Sequence, residues 1–556
     1  MKQSPLFHLS IFLVGWTALN LIQAGTTELL HDEAYYWLWQ HDHPLAIGYF
    51  DHPPGIALMI RIGCLVTGGE LGVRLAGTVL STLTLLILYM LTDTRRPWLF
   101  AALVSSIAVV HIGGFVAVPD IPLMFFATMF FLALKRSLQE DTPFNAALFI
   151  ISLAGMAYSK YNGVLIPVFA LLGSPRLFRR RSLWIVILTT ALLIAPHLHW
   201  QWVHDFPTFR YHLFDRGQRP WRIGFLWEFL GSQLLVFGPL MAPLLFWTAF
   251  RAGAKSDFER SMKWAMIGTF VFFLLQSLRK PAEANWTVLM VIPMVFFTLR
   301  EADSHLRLRK TILWLTGPSL ILLLAFRLFL AWNYLPSMTN LRNEFHGWDQ
   351  WARQIAGMAG DRPVIFENSY QKASKYTFYS GQPSFSINTM DYAGKQHDLW
   401  IKDAEALEGQ DVLHFYPGAP DSILLEPSGQ ETYEFISGFR SLHSLRLDLP
   451  HRHITAPPDT FTEVQATLFN AGSRTVHFPK DSTTLEYGLF WYGQPQDTIP
   501  ILPVWLIDSI RPAERIPIRL LLPTPPVPGD HWRFRLSLRY RHILGRNSHF
   551  YEWRRE

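Results

Sequence analysis

A single cysteine, Cys64, stands among 556 residues. That excludes an internal disulfide and a cysteine-ligated metal centre, and leaves Cys64 the role of a small apolar packing residue. Charge is scarce as well. Asp, Glu, Lys and Arg make up 17% of the chain, where a soluble domain carries about a quarter. Half of the residues are hydrophobic and mean hydropathy is positive. A surface with so few charges faces lipid over much of its area. The formal net charge of +6 is small, so where the charges lie matters more than their sum. No repeat and no low-complexity linker is present, and nothing points to a nucleic-acid partner.

A bilayer core of about 30 Å takes roughly 20 apolar residues to cross. Eleven runs qualify, over about 7–24, 71–92, 98–117, 120–136, 144–160, 162–174, 182–200, 224–249, 261–278, 284–300 and 311–332. The pair 144–160 and 162–174 is the least clearly divided, because Lys160, Asn162 and Gly163 separate it and its second half is short. A cleaved signal peptide is the alternative for the first 24 residues. Immediate continuation into further apolar segments favours a first membrane helix.

With eleven spans, the basic clusters Arg95-Arg96, Lys135-Arg136, Arg176 with Arg179–Arg181, Arg251 with Lys255, and Arg300 to Lys310 all fall on one side, together with Lys2. The positive-inside rule makes that side the cytoplasm. The other side receives 25–70, 111–120, 159–163, 200–222, 279–286 and everything after about 333. Residues 53–67 are too short to span and read as an interfacial helix with Arg61 at the surface. The tail divides into an α/β piece, 334–428, and a β-rich piece, 429–556. "PVIFENSYQKASKYTFYSG" reads as strand, loop, helix, and "DVLHFYPG" as a buried strand. "YEFISGF", "ATLFNAG", "TVHFPK" and "EYGLFWYG" read as short alternating strands of a small β-sandwich.

The external loops hold an unusual density of ionisable groups. "HDEAYYWLWQHDHPLAIGYFDHPPG" (31–55) carries Asp32, Glu33, Asp42 and Asp51 with His31, His41, His43 and His52. "VPD" (118–120), "YSKYNG" (158–163) and "SLRKPAEANW" (277–286) add Asp120, Lys160, Arg279 and Lys280. Ionisable groups at the end of an apolar helix cost free energy unless they line a cavity or meet partners. One shared site at the lipid–water boundary is the economical reading. Asp32 can take a proton from a hydroxyl. Asp51 and His52, ahead of the Pro-Pro kink, offer oxygen and nitrogen to a divalent ion of the zinc, manganese or magnesium class. Asp120 opens a helix, where its charge meets the positive end of the dipole; a plain helix cap is the competing reading. Lys160, Arg279 and Lys280 suit a phosphate. The aromatics Tyr35, Tyr36, Trp37, Trp39 and Tyr49 suit sugar stacking or an interfacial belt, with anchoring favoured for Trp37 and Trp39. His41 and His43 read as solvated loop residues. Arg210, Arg216, Arg219 and Arg222 break the charge rule, either on lipid phosphate or in ion pairs with Asp205 or Asp215.

"HDEAYYWLW" resembles the acidic first-loop motif of the bacterial glycosyltransferases related to dolichyl-phosphate-mannose–protein mannosyltransferases, and most nearly the branch with the lipid A aminoarabinose transferase. "GYFDHPPG", "VPDIPLMFF", "YSKYNGVLIP", "RKPAEANWTVLMVIP" and "FHGWDQWARQI…FENSYQKASKYTFYSG" are similar to its later blocks in order, over roughly residues 1–420. The resemblance implies a GT-C fold: a polytopic helical membrane protein with an extracytoplasmic C-terminal domain. It implies a bacterial inner-membrane enzyme that takes a sugar from a polyprenyl-phosphate carrier and transfers it, with inversion, to a lipid, glycan or protein acceptor on the periplasmic face. By motif position, Asp32 is the catalytic aspartate, with Glu33 and Asp120 beside it, and Asp51 is the metal-linked acid. His52, Lys160, Arg279 and Lys280 are expected on the donor phosphate. Tyr35, Tyr36, Tyr49, Asn285 and Tyr370 are expected on sugar and acceptor. One departure stands out. The aminoarabinose branch carries Lys before Pro-Pro where this chain has His52, and a neutral imidazole grips phosphate less strongly than an ammonium. Two other classes compete. A transporter places its ionisable groups near the bilayer midplane on broken helices, and a non-catalytic scaffold with a binding tail gives no reason for acids in separate loops.

Overall fold

The computed structural model describes residues 5–211, 222–335, 339–456, 461–478, 485–492, 501–504, 508–523, 525 and 531–555. The chain forms two compact units, Met1–His346 and Gly347–Glu556.

Each apolar run of the first unit is helical. The helices are α1 (Pro5–Thr26), α2 (His31–Asp42), α3 (Gly55–Cys64), α4 (Gly69–Thr92), α5 (Pro97–Val104), α6 (Ala108–Ile112), α7 (Asp120–Gln139), α8 (Pro143–Ser159), α9 (Leu165–Leu172, preceded by a 3-10 turn from Tyr161), α10 (Arg181–Val203), α11 (Pro207–Arg210), α12 (Gly224–Val236), α13 (Ala242–Arg251), α14 (Asp257–Ser277), α15 (Val291–Ser304, preceded by a 3-10 turn from Ala284) and α16 (Leu306–Ala331). Among the described residues five of them, α1, α4, α7, α10 and α16, are long and apolar enough to cross a membrane unbroken. The other expected spans are shorter or broken. The run 224–249 parts into α12 and α13 around Gly238, whose φ of +92° favours glycine. The opening stretch of acids and imidazoles begins as a true helix, α2. The interfacial segment is α3, which buries Ile56, Met59 and Ile60 and exposes Leu58 and Ile62. Trp184, Ile185 and Leu188 on α10, and Trp314 and Ile321 on α16, are also exposed, as lipid-facing surface requires.

Local signals explain the boundaries of α8 and α14. Thr142 Oγ1 caps α8 by accepting the Asn145 N–H at 3.3 Å, with Pro143 in the first turn. Ser256 caps α14 through the Glu259 N–H at 3.2 Å.

Contacts sort the connections into two groups at the two ends of α7, whose 20 residues rise about 30 Å. At its C-terminal end, Lys135 pairs with Asp93. Arg180 donates to the Ser137 carbonyl, and Arg136 to Asn145 at 3.2 Å. Arg96 meets Asp303 at 3.1 Å, and Arg300 meets Glu259 at 2.6 Å. At the other end Asp120 holds Lys160. So α8 and the Tyr161–Leu172 segment, the least clearly divided pair in the sequence, run from one end of α7 to the other and back. The described basic loops gather at one end, and the motif-bearing loops at the opposite end.

The second unit begins with an amphipathic helix, α17 (Trp348–Ala359), which buries Trp348, Trp351, Ala352 and Ile355. A five-stranded sheet follows, in the order β2-β1-β3-β5-β4, from β1 (Val364–Glu367), β2 (Ser384–Ile387), β3 (Val412–Phe415), β4 (Asp421–Leu425) and β5 (Gly429–Ile436). β1 runs parallel to β2 and β3, and α18 (Tyr370–Ser380) connects β1 to β2. β5, at the head of the expected β-rich piece, pairs with β3 and so closes the α/β sheet. Beyond it two sheets share one core. The first is β13-β8-β6 and the second β11-β10-β14-β16-β7. Their strands are β6 (Leu445–Asp448), β7 (His453–Ala456), β8 (Thr462–Asn470), β10 (Leu485–Trp491), β11 (Ile501–Val504), β13 (Arg515–Leu522), β14 (His531–Tyr540) and β16 (Phe550–Arg555). β9 (Val476–His477) pairs with β12 (Ser509–Ile510), and β15 (Ile543–Leu544) with β14. Leu447, Leu468, Leu489, Leu520, Leu536 and Trp553 pack between the sheets.

Burial holds the imidazoles of His397 and His443 neutral in this unit, each pulled down to about 4. Unfolded, both titrate near 6.5. The unfolded chain therefore binds more protons than the native one between these values, and stability rises with pH there. Acidification from pH 6.5 toward 4 is expected to weaken this unit, by on the order of 2 kcal/mol per imidazole once pH 5 is reached. Hydrogen exchange of the β3 and β8 amides in the full chain at pH 7 and pH 5 measures this. His397→Phe is expected to remove part of the pH response, and equal protection at both pH values contradicts the assignment.

Candidate active site

Five connections meet at the N-terminal end of α7. Glu33 begins the assembly. It sits in the first turn of α2, fully buried. Oε2 accepts the Leu30 N–H at 2.9 Å, which closes the helix start. Arg74, in the first turns of α4 and equally buried, donates Nε to Oε1 at 2.7 Å and Nη2 to Oε2 at 2.6 Å. The rest of the Arg74 fork binds the carbonyls of Ala24, Thr27 and Glu28. Oε1 also accepts the Ala117 N–H at 2.7 Å. The sequence reading counts Glu33 among the catalytic acids; the structure corrects this. Its oxygens are buried and engaged, so Glu33 holds the surrounding segments in place. Asp32, one residue earlier, is exposed.

Asp120 is the second centre. It opens α7, 6% exposed. Lys160 Nζ donates to both its oxygens at 2.9 Å, and Asn285 Nδ2 donates to Oδ2 at 2.9 Å. Three connections of widely different sequence position meet on one carboxylate. Lys160, expected on a phosphate, spends these two bonds on Asp120. It ends α8 with an extended φ of −161°, and that break aims its side chain inward. Arg279, exposed, and Lys280, half-buried, lie on the same α14–α15 connection as Asn285. The Asn285 bond therefore ties the cationic turn to Asp120.

The Asp51-His52-Pro-Pro turn is the third part. Tyr35 donates its hydroxyl to Asp51 Oδ2 at 2.9 Å, and the Tyr36 ring meets His52 edge-on at 5.8 Å. A Cβ on Gly55 would lie 2.5 Å from the Tyr158 carbonyl oxygen, so glycine alone lets this turn rest against the Lys160 segment. The loop after α10 closes the circle. Thr208 donates to the Phe50 carbonyl at 2.6 Å, and Gln201 to the Tyr161 hydroxyl at 2.7 Å. His197 bridges the Ile47 carbonyl and the Tyr161 hydroxyl, each at 2.8 Å.

The aromatic residues divide. Trp39 is fully buried between Tyr35, Tyr36 and Tyr49, which rules out the anchoring role expected for it. Tyr49, 1% exposed, stacks on Trp39 at 4.6 Å and donates to the His43 carbonyl at 3.0 Å. Burial pushes its phenol up to about 12. It supports the site from beneath and is no sugar platform. Trp37 is half-buried and stacks on His41 at 4.5 Å. Tyr370 belongs to the second unit, where the Lys395 ammonium lies 4.7 Å from its ring. Arg210 pairs with Asp205, and Arg222 with Glu228 at 2.8 Å, which is the ion-pair reading; Arg216, Arg219 and Asp215 lie outside the described residues. Asp51 and His52 supply two metal donors, one fewer than the three protein ligands of a catalytic zinc. Among the described residues, the group of three suitable ligands lies elsewhere, at Glu367, His414 and His542.

Arg74 and Arg327 escaped the sequence reading. Arg327, buried on α16, donates to Asn20 at 2.8 Å and lies over the Phe115 ring at 4.9 Å, with Arg74 at 5.8 Å from the same ring. The signal was present, since an arginine inside an apolar run needs a partner. Glu33→Gln and Arg74→Met each leave one buried partner uncompensated, a loss of about 3–5 kcal/mol. Both are expected to melt well below the parent in detergent, and Glu33→Leu with Arg74→Met to recover much of that loss. Parental melting of either single variant contradicts the anchoring role.

Residues 51–200 match the family model described as dolichyl-phosphate-mannose-protein mannosyltransferase. No curated protein sequence matches the chain. Two solved structures of ArnT from Cupriavidus metallidurans resemble it. The apo form aligns with a TM-score of 0.53 at 15% identity, covering 77% of this chain and 96% of that one. The form bound to undecaprenyl phosphate gives 0.55 at 14% identity, with 77% and 97% covered. The chain is a polytopic helical membrane protein with the GT-C fold of ArnT, and its stretch from Asp51 to Trp200 carries the sequence pattern of the dolichyl-phosphate-mannose-protein mannosyltransferases.

Proposed function

We propose that this chain is an integral-membrane glycosyltransferase that moves a sugar from a polyprenyl-phosphate carrier to a hydroxyl or phosphate acceptor. The bacterial inner membrane is its location and the periplasmic face its working side. The observation that carries this reading is the meeting of Lys160 and Asn285 on Asp120, at the end of the apolar helical bundle where Glu33, next to the exposed Asp32, binds the Ala117 N–H. The family match and the fold shared with a protein crystallised on undecaprenyl phosphate support it. Sidedness follows from the positive-inside rule, since the basic loops gather at the other end.

The reaction is a single displacement. Asp32 takes the proton of the acceptor hydroxyl as its oxygen attacks the anomeric carbon. The bond from that carbon to the phosphate oxygen breaks, its electrons leave with the lipid monophosphate, and the anomeric centre inverts. The leaving group is already a stable anion, so no general acid is needed. Arg279 and Lys280 meet the charge that arrives on phosphate, and Lys160 shares its ammonium between Asp120 and the phosphate. Helices exposing apolar side chains, such as α10 and α16, face the lipid from which the prenyl chain enters. A transporter reading needs ionisable groups near the bilayer midplane, whereas here they crowd one end.

Asp32→Asn is expected to lower transfer by about 10²–10⁴-fold while leaving melting and membrane insertion unchanged. The assay follows a labelled polyprenyl-phosphate sugar into envelope lipids, glycans and proteins of membranes holding the variant, against a deletion strain. Parental transfer by Asp32→Asn removes it as the base. Absence of any labelled product from the parent protein overturns the glycosyltransferase reading.

A further inference from the structure

The second unit holds a cluster that the transfer chemistry does not use. The strand register already sets most of it on one face of the five-stranded sheet. His414 in β3 stands opposite Ile365 of β1 and opposite Glu434 of β5. Glu367, two residues beyond Ile365, points to the same face, because side chains alternate along a strand. His542 arrives from the turn between β14 and β15. Arg541, just before it, takes a φ of +55°, a strained value for a side chain of that size. That backbone turn delivers the His542 ring onto Tyr416 at 3.6 Å between centroids and beside His414 at 5.2 Å.

The donor atoms point into one small space. A nitrogen from each histidine and an oxygen of Glu367 lie within 4.8 Å of one another. His542 Nε2 is 3.6 Å from Glu367 Oε2, and His542 Nδ1 is 3.9 Å from Glu434 Oε1. His414 is fully buried, with neither ring nitrogen hydrogen-bonded; Glu367 Oε2, Glu434 Oε1 and His542 Nε2 are buried and also make no hydrogen bond. Five such atoms in one place carry a large desolvation cost. A cation satisfies them together. Arg541 lies 3.6 Å from this same Glu434 Oε1, which leaves Glu367 as the principal carboxylate.

We propose that Glu367, His414 and His542 bind a divalent cation of the zinc class, with Glu434 or water in the fourth position. Two imidazoles and a carboxylate are the borderline nitrogen and oxygen donors that zinc takes in tetrahedral sites. The ion ties β1 and β3 of the α/β sheet to the β14–β15 turn, so its role is to fasten two parts of this unit. It is independent of the transfer reaction and of the Asp51-His52 pair.

The test uses the full-length protein, purified in detergent and stripped with chelator. Zinc added alone is expected to bind at one ion per chain by elemental analysis and to raise the melting temperature. Cobalt in its place is expected to show the visible absorption of a four-coordinate ion. His542→Ala, at a partly exposed position that a folded protein tolerates, is expected to lose both ion and melting shift, as is His414→Gln. Asp51→Asn combined with His52→Gln is expected to keep them. Absence of a stoichiometric ion in the parent, or an ion that survives His542→Ala and disappears with the Asp51/His52 variant, overturns the proposal.

Discussion

Burying charge at the rim of an apolar bundle is the constraint from which the rest follows. Each ionised group there needs a partner on another segment, and the partners decide which loops meet. The Glu33–Arg74 pair is the first such decision. It is fully buried and bidentate, and it binds carbonyls on the connection before α2 as well as an N–H of the connection before α7. One carboxylate therefore fixes the start of α2, and with it the exposed Asp32. The same carboxylate fixes the approach to Asp120 three residues past Ala117.

The Asp120–Lys160–Asn285 cluster is the second decision. With Lys160 bonded to both oxygens of Asp120, the two charges cancel in a site shielded from water. The first turn of α7 and the Asn285 amide hold the same carboxylate from the other side. The pair thus gives a buried lysine a partner inside the bundle.

Much of this was legible in the sequence. Apolar runs gave the helices, and the parity of basic loops predicted which connections share an end; the contacts along α7 gather them that way. The chain's own motifs pointed to Asp120, Lys160 and Asn285, which the fold joins by direct bonds, and to Asp51, which accepts from the Tyr35 hydroxyl. Other features lay beyond sequence patterns for physical reasons. Glu33 and Asp32 are adjacent acids, and only the helical phase of α2 turns one into the core and the other to solvent. Trp39 looks like a membrane anchor until three tyrosines are seen around it. Arg74 hides inside a stretch that hydropathy reads as lipid-spanning. β5 follows a loop that reads as a domain break, yet its pairing with β3 belongs to the earlier sheet. Glu367, His414 and His542 are separated by up to 175 residues, and only register and a strained turn bring them together.

The account stands on the gathering of the motif loops at one end of the bundle and of the basic loops at the other. Impermeant maleimide labelling tests this most directly. Single cysteines at Lys280 and at Arg307, each in a Cys64→Ser background, are labelled in intact cells with an opened outer membrane. The account predicts that the cysteine at position 280 reacts from outside, while the one at 307 reacts only after the inner membrane is permeabilised. The same reactivity at both positions, or the reverse order, contradicts it.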